Sequence, residues 1–125
     1  MANPSTTGLS GAGTEVLRRS YIDEAGESES TIITGVANHI MTVLSIIIYD
    51  RGSLADNNFS MYIDYDLGGT NLYLCSGQKC GSNGTFVWSD SLVLTETDKL
   101  HFLGASASGT ANFDVWCSYR DIDFT

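Results

Sequence analysis

The sequence predicts an all-β fold: a single antiparallel β-sandwich, jelly-roll or immunoglobulin-like, of about eight strands with an extended N-terminal arm. Three observations predict it. Ala111, Phe113, Val115, Cys117 and Tyr119 alternate with Asn112, Asp114, Trp116, Ser118 and Arg120. Strict alternation sends one set to each face of a strand, whereas a helix would scatter them around its circumference. Met41 to Asp50 is nearly all apolar and holds Ile46, Ile47 and Ile48 in succession, β-branched residues that favour a strand. The single proline is Pro4, against 13 glycines, so the chain beyond it is open to uninterrupted strand pairing.

Taken in order, residues 1–14 form the arm. Beyond Met1 only Leu9 is sizeably apolar there, too little to order the segment on its own domain. Pro4 and the small residues suit it to a neighbour's groove or sheet edge, where backbone hydrogen bonds supply the contacts. Pro4 and Leu9 are therefore candidate interface residues. Residues 15–125 form the sandwich. Glu15 to Glu24 reads as a first strand, with a short helix as the alternative. Ala25 to Glu29 is an acidic turn. Ser30 to Asn38 is a β-branched strand in which Gly35 marks a bulge or close packing. Met41 to Asp50, apolar on both faces, reads as a strand covered on both sides. In it Leu44 and Ile46 share one face, and Val43 and Ile47 the other. Arg51 to Asn58 is a solvated polar loop.

Phe59, Met61, Ile63 and Tyr65 alternate with Ser60, Tyr62, Asp64 and Asp66 in the next strand, which Gly68-Gly69 turns. Asn71 to Cys75 is a short strand, and Asn83-Gly84 a tight-turn signal. Thr85 to Glu96 is a strand bent at Ser89-Asp90-Ser91. Asp98 to Tyr119 reads as a closing hairpin, with Lys99 to Ser106 as its first arm and a turn near Gly109. The expected core includes Ile47, Phe102, Phe113 and Val115. Trp116 is the misfit, a large aromatic on the polar face, and tryptophan is enriched at interface hot spots.

Six basic residues stand against fifteen acidic ones, a net charge of −9. That balance argues against nucleic-acid binding, which needs a basic footprint, and against an anionic membrane surface. Ile40 to Tyr49, the longest apolar stretch, is about half of a membrane-spanning helix. No basic region followed by a long apolar run opens the sequence, so synthesis in a cytoplasm is expected.

The residue types that carry chemistry do not assemble into a motif. His39 beside a turn and His101 on the wetter side of its strand read as surface or rim histidines. A zinc site from Cys75, Cys80, His101 and Cys117 has loose spacing and one ligand facing the core. A local Cys75–Cys80 bridge is sterically conceivable. The loop from Asp50 to Asn58 lacks the positional pattern of a calcium loop. Asp64 and Asp66 share a strand face, where neighbouring acids ordinarily point to water. Neither a nucleophile elbow nor a phosphate-binding loop is present. The expectation is a non-enzymatic chain with no catalytic residue, cofactor or metal.

Three stretches together suggest a family. They are Thr31 to Asn38 after the acidic turn, Leu92-Val93-Leu94 with the acidic Thr95 to Asp98 and Leu100, and Ala105-Ser106 to Gly109, Asn112 and Val115. The pattern, over roughly residues 25 to 120, resembles the small β-sandwich structural proteins of tailed bacteriophage virions. The loop between Cys75 and Cys80, and Trp116, depart from it. The resemblance implies a capsid decoration or cement protein located in the virion. Its partners would be the major capsid protein and further copies of itself, as dimer or trimer. A tail, neck or baseplate component is the alternative within the class. A carbohydrate-binding jelly-roll module is the alternative outside it, and would need Tyr62, Tyr73 and Trp116 as an exposed aromatic platform. Trp116, Tyr62, Leu9 and Pro4 are the candidate interface residues.

Overall fold

A computed structural model describes residues 14–52, 56–65 and 70–124. Pro4, Leu9 and the Gly68-Gly69 turn lie outside the described residues. The strands are β1 (Thr14–Ala25), β2 (Ser30–Thr34), β3 (His39–Asp50), β4 (Asn58–Asp64), β5 (Asn71–Gln78), β6 (Thr85–Trp88), β7 (Leu92–Leu94), β8 (Lys99–Ala105) and β9 (Phe113–Asp123). They form two antiparallel sheets. Sheet A has the order β1-β9-β3-β6, with β7 also paired to β3, and sheet B has the order β2-β8-β4-β5. The chain crosses between sheets repeatedly, which is jelly-roll rather than immunoglobulin connectivity.

The core lies between the sheets. Phe59, Phe102 and Phe113 meet at its centre, with ring centroids 5.3 to 5.6 Å apart. Phe113 comes from sheet A and the other two from sheet B, so the cluster joins both layers. Phe102, Phe113 and Val115 are buried, as the alternation requires. Ser20 Oγ donates to the Ile32 carbonyl across 2.6 Å, fastening β1 to β2 where the sheets meet. Gly35 marks close packing: a Cβ there would lie 2.1 Å from the Thr95 carbonyl oxygen.

Four sequence expectations are corrected. The closing hairpin does not exist, because β8 pairs with β2 and β4 while β9 pairs with β1 and β3. Alternation assigns a strand's faces but not its partners, and Ser106 to Asn112 carries the chain from one sheet to the other. The strand expected over Thr85 to Glu96 is two, β6 and β7, separated at the bend and both paired to β3. β3 is buried on one face, not both. A bulge between Val43 and Ser45 shifts its register, so Met41, Val43, Ile46 and Ile48 face the core while Leu44, Ile47 and Tyr49 face outward. Ile47, expected in the core, is 41% exposed. Finally, the loop after β3 is not wholly solvated, since Asp50 and Asn57 are fully buried.

Candidate functional site

The outer face of sheet A carries a row of large apolar side chains across four strands. The register pairs Tyr21 with Trp116, Trp116 with Ile47 and Ile47 with Val87. Directly paired residues share a face, so the four stand side by side, and all four are exposed. The Tyr21 and Trp116 rings stack at 5.8 Å, tilted by 17°. The Arg19 guanidinium lies 5.2 Å from the Trp116 ring centroid, a cation–π contact. Below the row, a shallow depression of about 340 Å³ is lined by Tyr21, Asp23, Ile47, Tyr49, Asp114 and Trp116. Beside it Arg51 Nη1 reaches Asp23 at 3.1 Å, Asp114 at 3.4 Å and Glu24 at 3.6 Å.

The outer face of sheet B carries a matching row, Thr31, His101, Tyr62 and Tyr73, finished with hydrogen bonds. Tyr62 donates its hydroxyl to Glu29 Oε2, Thr31 Oγ1 lies 3.1 Å from His101 Nδ1, and Glu29 Oε1 is 3.8 Å from the same nitrogen. Burial, then the hydrogen bond to Glu29, pushes the Tyr62 phenol well above its ordinary range. His101 is thus buried rather than on a wet face, and so is Tyr62.

Tyr62 therefore offers no open interface, and the three aromatics of the carbohydrate platform do not converge. Tyr62 and Tyr73 belong to sheet B and Trp116 to sheet A. Trp116 is exposed as its alternation predicts. Its neighbours Tyr21, Ile47 and Val87 escaped the sequence reading. The phase of β1, with Leu17, Arg19 and Tyr21 in alternation, was the only available signal for Tyr21.

Two polar clusters lie elsewhere. Asp121 accepts from Arg18 Nε at 2.8 Å and faces His39 Nδ1 at 2.7 Å, closing one end of sheet A. At the other end Asp50 Oδ1 accepts from Gly52 N at 2.9 Å and Asn57 Nδ2 at 3.2 Å. The remaining side-chain oxygens, Asp50 Oδ2 and Asn57 Oδ1, are buried without a hydrogen-bond partner. Cys75, Cys80 and Cys117 are free thiols. Among the described residues no three His, Cys, Asp or Glu side chains are placed to hold a metal.

This fold is shared with proteins of viral particles. Over 90% of its length the chain superposes on a mutant VP2 protein of infectious bursal disease virus in T=1 particles, with TM-score 0.56 and 11% identity, and spans 32% of that chain. The VP2 subviral particle gives TM-score 0.55 at 12% identity, over 90% of this chain and 33% of the other. The chain thus spans about a third of the VP2 chains it matches. A chain of the acid-stable capsid of Helicobacter pylori bacteriophage KHP30 superposes with TM-score 0.53 and 8% identity, covering 87% of this chain and 88% of that one. No protein-family model matches the chain, and no curated protein sequence matches it.

Proposed function

We propose that this chain is a non-enzymatic structural protein of a bacteriophage virion, a decoration or cement protein that binds between major capsid protein subunits and stabilises the shell. The observation that carries the reading is the extent of the match to the phage capsid chain. Nearly all of each chain is used, so a bare jelly roll of this kind stands as a complete component of a phage capsid. In VP2 the same fold is a part of a longer chain. The capsid-like sequence pattern over residues 25 to 120 supports the reading further.

In this role many copies make modest contacts, and multivalency makes their sum strong. The acidic surface keeps the free protein soluble before assembly. Residues 1–14, with Pro4 and Leu9, reach a neighbouring capsid subunit from the edge strand β1. The test is cosedimentation of the full chain with shells assembled from the major capsid protein, beside a glycan array. Saturable binding at hundreds of copies per shell, with no glycan retained, is expected. A handful of copies per particle would move the protein to the tail or neck, and glycan binding without shell binding would overturn the reading. Removing residues 1–14 is expected to weaken attachment while leaving the melting temperature nearly unchanged.

A further inference from the structure

We infer that the outer face of sheet A is the interface with a second copy of this chain, in a face-to-face dimer whose two-fold axis runs along the Tyr21–Trp116–Ile47–Val87 row. The inference needs only the face itself and stands apart from the virion reading.

Contiguity is the first argument. The row and Tyr49 beside it keep five large side chains exposed together on one face, the contiguous kind of patch that marks an interaction surface.

Charge is the second, and it selects a second copy over another occupant. The chain carries −9, yet no acidic residue lies in this row or in the Arg19–Ser118–Ser45 row above it. Two copies can therefore meet here without bringing their acidic surfaces together. An axis along the row places each copy's upper side against the other's lower side. Arg19 stands two residues above Tyr21 on β1, and Asp23 two residues below. Asp114 likewise stands two residues below Trp116 in chain order on β9. The axis therefore sets Arg19 of one copy over the Asp23–Asp114 pair of the other. That pair, with Glu24, surrounds the single cation of Arg51, so the cluster has negative charge to spare. Arg19 rests on the Trp116 ring, with no carboxylate paired to it among the described residues. An isologous contact must be self-complementary, and this face carries both halves of the pairing.

Geometry is the third. This axis leaves the strands of the two copies nearly antiparallel, the aligned mode in which sheets pack about 30° apart. The stacked Tyr21 and Trp116 rings fall near the axis, where interface energy concentrates.

The experiment is sedimentation velocity of the full chain over a concentration series, without any capsid protein. A species of twice the 13.5 kDa protomer mass is expected. Trp116→Glu and, on the edge strand β6, Val87→Glu should each raise the dissociation constant on the order of tenfold or more. Circular dichroism confirms the fold of each, and Val87→Glu decides if Trp116→Glu is unfolded. Tyr73→Glu, on sheet B, should leave the dimer intact. Arg19→Asp should weaken the dimer, and the double variant Arg19→Asp/Asp23→Arg should recover it, as only a contact between these two positions across copies would allow. A chain monomeric at every concentration overturns the proposal. So does a dimer that both folded glutamate variants leave unchanged, or a monomer whose Trp116→Glu variant loses only shell binding, which would give the face to the capsid protein.

Discussion

Each sheet carries four side chains in a row across its outer face, Tyr21–Trp116–Ile47–Val87 on sheet A and Thr31–His101–Tyr62–Tyr73 on sheet B. Both rows include two neighbouring aromatics. The sheet B row is capped from within: Glu29, on the turn before β2, takes the Tyr62 hydroxyl and faces His101. Among the described residues the turn before β2 has no counterpart over sheet A, where a single arginine lies over one ring and the row stays open. Aromatics on an outer sheet face can thus be completed by the chain's own polar groups or left for another surface. What separates the two cases is whether a loop brings a polar partner within reach.

The comparison can be broken at several points. The largest effect is expected at the core that backs both faces. Phe113→Ala should cost about 3 kcal/mol or more, as large-to-small core changes do, read from denaturant unfolding. Unchanged stability would mean that the two faces do not share one core. Next is the cap on sheet B. Tyr62→Phe removes one hydrogen bond to a charged acceptor and should cost about 1.5–3 kcal/mol. The chemically identical Tyr21→Phe on the open face should stay within about 0.5 kcal/mol. Equal costs would erase the distinction between the rows.

A third test sharpens the contrast by pH. Burial pushes the Cys117 thiol up to about 12. Burial first, and the Asp50 charge second, pushes that of Cys80 up to about 11. The Tyr62 phenol is raised as well. All three are higher folded than unfolded, so their stabilisation is complete below the unfolded values and lost as pH rises through the folded ones. The melting temperature should hold to roughly pH 8.5, the pKa of a free thiol, and fall above it. Cys117→Ala should reduce the fall. The smallest effect is expected at Val87→Glu, which should change protomer stability by less than about 0.5 kcal/mol in the same unfolding assay.

Most strands were legible because alternation encodes face directly. β9 and β4 are examples, and the Ser89 to Ser91 bend marked the gap between β6 and β7. Pairing was not legible. β8 and β9 are adjacent in sequence and look like a hairpin, but nothing in their alternation says that they lie in opposite sheets. Phase was lost in β3, because an all-apolar run carries no polar residue to mark the outer face. The bulge at Leu44 then moved Ile47 outward unseen. The candidate face suffered from both gaps. Trp116 stood out as an anomaly within its own strand, whereas Tyr21, Ile47 and Val87 joined it only through pairings between distant strands. Burial of Tyr62 and His101 was hidden for a similar reason, since the covering Glu29 comes from the turn before another strand.

The position of β9 bears on how the molecule comes into being. β9 lies between β1 and β3 and pairs Asp123 with both Thr14 and His39. Of the nine described strands it is the last to leave the ribosome. Until it arrives β1 has no sheet partner and β3 holds only the short β6 and β7, while the Phe59–Phe102 pair waits for Phe113. Sheet B has all its strands by then, so what the nascent chain lacks is a complete sheet A and the Phe113 side of the core. Closing the sandwich therefore waits on long-range pairings of β9 with β1 and β3, the kind of contact that slows folding.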